Sequence, residues 1–123
     1  VARRVEAWLI NAIALHSLAV GLALLFLGRW GLALGGWSDV SPLFFARQAG
    51  VFHVVVAVGY FLEYRRYGSV YLIILAKTIA VLFLVATVWL DGAPWSVSAS
   101  AVGDGLMGLA ALVVHRQRRH YDE

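Results

Sequence analysis

The chain has 123 residues, of which 62% are hydrophobic and 14% charged, with a mean hydropathy of +0.80 and a net charge of +3. Soluble domains carry about a quarter charged residues, and a core this small leaves much of its surface in water, so the composition excludes an ordinary soluble domain. The absence of cysteine excludes disulfides, thiolate metal sites, iron–sulfur clusters and CxxC redox chemistry.

The first apolar segment is Ala7–Gly28, preceded by Arg3 and Arg4. It is longer than the apolar run of a cleaved signal and is read as a retained span. The stretch "RWGLALGGWSDVSP" (Arg29–Pro42) follows as a long connection that lies in the outer interface of the membrane, where Trp30 and Trp37 are favoured, or instead covers the mouth of a cavity. Ser41-Pro42 then reads as an N-cap followed by proline at the first helical position.

The second segment is Leu43–Leu62, the third Val70–Leu90, and the fourth, richer in small residues, Trp95–Val114. "YRRYGS" and "DGAP" supply tight turns between them. Segments of about 20 residues span a hydrocarbon core of about 30 Å as helices, the form that satisfies backbone groups within the segment. The expected architecture is all-α, a single four-transmembrane-helix bundle with helices over about 7–28, 43–64, 69–90 and 95–115. Arg3-Arg4, Arg65-Arg66 and the Arg116, Arg118, Arg119 cluster all fall on one side of such a chain. The positive-inside rule therefore places both termini in the cytoplasm of a multi-pass protein of the inner cell membrane. This placement of the basic residues marks topology and does not suggest nucleic-acid binding.

"VYLIILAKTIAVLFLVATVWL" (Val70–Leu90) carries one lysine, Lys77, in the middle of an apolar run. At 1.5 Å per helical residue, Lys77 is roughly 16 Å from the level of Arg66 and Asp104 roughly 18 Å from that of Arg116. By the same ruler His16 and His53 lie roughly 18–20 Å from Arg4 and Arg66. Each helix thus places one ionisable residue near the midplane, where an unpaired charge costs roughly 2.5–3.5 kcal/mol. Lys77 with Asp104 is the expected pair, and His16 and His53 complete a polar core.

Ser96, Ser100, Asp104 and Gly108 share one stripe of the fourth helix, leading inward to Asp104. The glycines of "GDGLMG" (Gly103–Gly108) allow close packing or leave room beside the carboxylate. Arg47 and Gln48 lie near the outer end of the second helix, where they guard an entrance or anchor it at the interface. Glu6 and Glu63, at the cytoplasmic helix ends, are expected to pair with nearby arginines. His115 and His120 read as solvated tail residues.

The candidate ligand-binding residues are therefore His16, His53, Lys77, Asp104, Ser100 and Arg47. They suit a hydrophobic or amphipathic ligand, a quinone or lipid, held by hydrogen bonds from the histidines and Lys77. Two alternatives remain open. His16 and His53 on neighbouring antiparallel helices suit bis-histidine ligation of haem b in an electron carrier, with Arg47 near for a propionate. The polar core instead only fixes helix register in a purely structural assembly subunit. No nucleophile–base constellation, Walker A sequence, HExxH or catalytic carboxylate pair is present, so no enzyme activity is indicated. A proton relay suits the residue types, but there is no inverted repeat and no helix broken by proline at mid-depth.

The stretch "FARQAGVFHVVVAVGYFLEYRR" (Phe45–Arg66), Lys77 in the third helix and "GDGLMG" in the fourth resemble the small four-helix membrane proteins of the DoxX-like group. That resemblance implies an inner-membrane bundle. It also implies, from some members, an accessory role in a quinone or sulfur redox complex, although the cysteines such members use are absent. The expected partners are the lipid bilayer and a larger membrane complex or further copies of the chain.

Overall fold

The computed structural model describes residues 1–123 as four helices: α1 (Ala2–Leu34), α2 (Leu43–Tyr67), α3 (Tyr71–Asp91) and α4 (Trp95–Asp122). All four are long and apolar enough to cross a membrane. Large apolar side chains such as Leu82, Phe83, Trp89 and Leu106 point outward, an arrangement suited to lipid and costly in water. Of the five exposed tryptophans, Trp30, Trp37, Trp89 and Trp95 lie toward the end opposite the arginine clusters and Trp8 near those clusters, the two levels where aromatic belts are favoured.

Two glycines close the tight turns read from the sequence. Gly68 (φ 62°) caps α2 and donates its N–H to Tyr64 O at 2.9 Å, and Gly92 (φ 61°) ends α3. Both positions are left-handed, where a side chain would be strained.

Helix α1 is longer than expected. The segment from Arg29 to Leu34, read as interfacial loop, continues the helix past non-helical backbone at Leu27 (φ −121°, ψ 25°). Leucine and alanine there favour helix, and the first effective stop is the Gly35-Gly36 pair. Trp37 N–H donates to Leu32 O at 3.0 Å and Gly36 N–H to Ala33 O at 3.1 Å, with Gly36 left-handed at φ 92°, which is a Schellman ending. Ser41 is not an N-cap: α2 begins after Pro42, and Ser41 N–H donates to Asp39 Oδ1 at 3.0 Å in the loop. Helix α4 also runs on, past 115 to Asp122.

The bundle is built as two hairpins. α1 packs along α2 and α3 along α4; α1 against α4 joins them, whereas α2 and α3 touch little. α1 and α2 meet backbone to backbone, because a Cβ on Gly21 would lie 2.7 Å from Gly50 O and one on Gly50 would lie 2.6 Å from Gly21 O. Small residues of this kind let helices approach in lipid, where packing rather than hydrophobic exclusion holds helices together. The shared core lies toward the arginine-rich end and unites Ile10, Ile13, Tyr60, Val70, Ile73 and Ala111. Both buried residues of α3, Ile73 and Lys77, belong to its first two turns.

Glu63 and Glu6 hold this end together in different ways. Glu63 reaches across the turn to the start of α3, accepting the Tyr71 N–H at 2.8 Å, the Leu72 N–H at 2.9 Å and the Ser69 hydroxyl. It satisfies orphan donors at the positive end of a helix, a different role from the expected pairing with an arginine. Glu6 does find its arginine. Its fully buried carboxylate lies 2.8 Å from Arg118 Nε and 2.9 Å from His115 Nδ1, so His115 belongs to the packed interior and not to a solvated tail. Arg118 also donates to Gly68 O at 3.1 Å, and Arg3 pairs with Asp122 at 3.2 Å. The N-terminus, the α2–α3 turn and the C-terminal helix are therefore tied at one end, as the three arginine clusters required.

A candidate ligand site at the Lys77–Asp104 pair

Lys77 is carried by α3 on the face turned toward α4, and Asp104 by α4 on the facing stripe. Their side chains meet at 2.7 Å between Nζ and Oδ1, with 7% and 16% of their side-chain surface exposed. Gly108 makes room for this, since a Cβ there would lie 3.0 Å from Lys77 Cβ. The glycine one turn beyond Asp104 thus lets the lysine stem cross close to the α4 backbone. The Lys77 ammonium also stands 6.0 Å from the centre of the Tyr60 ring, which adds a weak attraction from the bundle interior.

On its other side the pair opens into a groove of about 310 Å³ between α3 and α4. Its walls include Ile74, Val81, Leu82 and Leu109; Thr78 and Gly105 line it beside the pair. The site is thus a charged floor under an apolar trough. Within the protein, Lys77 donates one hydrogen bond, to Asp104 Oδ1. An ammonium carries three donors and a carboxylate two accepting oxygens, so the pair keeps capacity for a further polar group.

The other residues singled out from the sequence are placed differently. His53 is half-buried on the inward face of α2, within electrostatic reach of Lys77, Asp104 and His16. His16 is exposed at the surface of α1. Ser100, one turn from Asp104, is exposed, and so is Arg47 near the far end of α2; neither joins the ion pair. The two histidines are also not level. A Cβ on Gly21 would lie 3.0 Å from His53 Cβ, which puts His53 beside Gly21, five residues and about 7.5 Å along α1 from His16. A ruler drawn from arginines assumes upright helices starting at equal depth, and the α1–α2 crossing departs from that.

This arrangement does not fit a haem between His16 and His53. A macrocycle ligated from both helices needs them held apart at that level with both imidazoles turned inward. Here the helix backbones touch beside His53, and His16 turns outward.

Tyr60 and Glu6 were not among the expected core residues. Tyr60 falls seven residues after His53, two turns along the same face, a spacing visible in the sequence. Glu6 begins the stripe that continues through Ile10, Ile13 and Ser17, so its burial follows from helical periodicity.

Comparison with protein-family models, with curated proteins and with solved structures finds no match.

Proposed function

We propose that the chain is a small membrane protein that binds an amphipathic ligand with a long apolar tail, a quinone or a lipid, in the α3–α4 groove. One observation carries the reading: the Lys77–Asp104 pair forms the floor of an apolar trough and retains unused donors and acceptors. Lys77 would donate to a carbonyl or head-group oxygen. Asp104 would hold the ammonium charged and oriented, and could accept from a ligand hydroxyl. The tail would lie along the walls formed by α3 and α4. His53 would adjust the field at the pair without touching the ligand.

The resemblance to DoxX-like proteins belongs to the same proposal, as do a role as accessory subunit of a larger complex, inner-membrane placement and cytoplasmic termini. The test is native mass spectrometry of protein purified in mild detergent. The wild type should retain a quinone or phospholipid that the Lys77→Met/Asp104→Leu double variant, still folded, has lost. Equal retention by both proteins would refute the site.

A further inference from the structure

The α1–α2 hairpin carries a second groove, on a face remote from the proposed ligand site. It has a volume of about 410 Å³, with Ala14 and Ala57 as its floor and Leu15, Leu18 and Phe61 as its rims. An apolar groove by itself is filled well enough by lipid tails. This one contains an amide. Asn11 lines it, exposed, seven residues along α1 from Arg4 and so roughly 10 Å inward of that arginine.

A polar side chain in hydrocarbon needs a partner. Thr87, on α3, finds one in its own helix by donating to Phe83 O at 2.8 Å, whereas the Asn11 amide makes no hydrogen bond within the chain. Lipid tails offer it none. A primary amide has two donors and a carbonyl acceptor, so it is complementary to another copy of itself.

We infer that this face is the contact between two copies of the chain, paired about a twofold axis along the membrane normal that passes near Asn11. Two copies inserted with the same topology can be related by such an axis, which brings every residue level with its counterpart. Asn11 of one copy then meets Asn11 of the other, as an isologous contact requires. Asn11, Leu15 and Leu18 follow i, i+4, i+7 spacing, so one strip of α1 fits the groove of the second copy while Ala14 and Ala57 allow close approach. The backbone contact at Gly21 and Gly50 fixes the hairpin that presents the groove. This inference is independent of the ligand proposal, because it uses neither Lys77 nor Asp104.

The chain has no cysteine, so a single introduced thiol reports without background. Leu15→Cys, one turn along the same strip and leaving Asn11 in place, should give a disulfide dimer in native membranes treated with copper phenanthroline, while Phe83→Cys, exposed on α3, should not. Energy transfer between donor- and acceptor-labelled copies in liposomes should show dimers, and Asn11→Leu should weaken association about tenfold. Three results overturn the inference: Leu15→Cys failing to cross-link, Phe83→Cys cross-linking equally well, or energy transfer unchanged by Asn11→Leu. A wild type that stays monomeric in liposomes also overturns it and leaves the groove to lipid.

Discussion

Lys77 Nζ and Asp104 Oδ1 are 2.7 Å apart beside a groove whose apolar walls are Ile74, Val81, Leu82, Leu109 and Leu112. Each charge would be costly alone at this depth, and each makes the other tolerable. Removing one partner strands the other. Lys77→Met and Asp104→Leu should therefore each destabilise the fold by about 3–5 kcal/mol, with the double variant returning to within about 1–2 kcal/mol of wild type. Thermal unfolding in detergent, arranged as a double-mutant cycle, measures this. Single variants as stable as wild type would show that the pair contributes nothing to the fold.

Two helical glycines, Gly21 in α1 and Gly103 in α4, separate packing from mere composition. A Cβ at Gly21 would collide with the carbonyl of Gly50, whereas one at Gly103 meets nothing within 4 Å. Gly21→Val should cost about 1–3 kcal/mol or more through overpacking. Gly103→Ala should be neutral or stabilising by up to about 1 kcal/mol, the difference in helix propensity. Unfolding midpoints of the two variants in one detergent decide the matter.

Glu6 is the hinge pin of the arginine-rich end. Glu6→Leu leaves His115 without its anion and Arg118 with only the more exposed Asp122, at 3.3 Å; the two side chains are 15% and 17% exposed. Loss of one partner from such a buried pair costs about 3–5 kcal/mol. Hydrogen exchange should quicken first in residues 1–6 and 115–122. Unchanged protection in both segments would show that the contact does not hold the termini.

Glu63 is a cap and not an ion-pair partner. Glu63→Ala should cost about 0.5–2 kcal/mol and expose the first amides of α3, Tyr71 and Leu72, to faster exchange. If Glu63 acted instead through an arginine, Arg65→Ala or Arg66→Ala would reproduce the effect, and neither is expected to.

The number of helices, the two tight turns, the common end of the arginines and the Lys77–Asp104 pair were all legible in the sequence. Each rests on a local property: apolar length, glycine, charge clustering, and the cost of an isolated charge in hydrocarbon. What was not legible depends on how helices cross. The arginine ruler grouped His16 with His53, but the crossing at Gly21 and Gly50 offsets them and turns His16 outward. Ser100 shares a stripe with Asp104 and is nevertheless exposed, since a stripe fixes direction but not what lies opposite. The run from Arg29 to Leu34 was misread because its arginine and tryptophan resemble a membrane boundary, while its leucines and alanine continue the helix.

The ligand site can be read most directly from inside its groove. Thr78 lines the groove beside the ion pair and is exposed there. In a chain without cysteine, Thr78→Cys accepts a single bimane fluorophore. This protein, in lipid nanodiscs, is titrated with a decyl-tailed benzoquinone and separately with a brominated phospholipid, each of which quenches bimane on contact. Saturable quenching by one of them, abolished when Lys77→Met and Asp104→Leu are added, is the expected result. Quenching that rises linearly with both probes and is identical in the two proteins would contradict a binding site at Lys77 and Asp104.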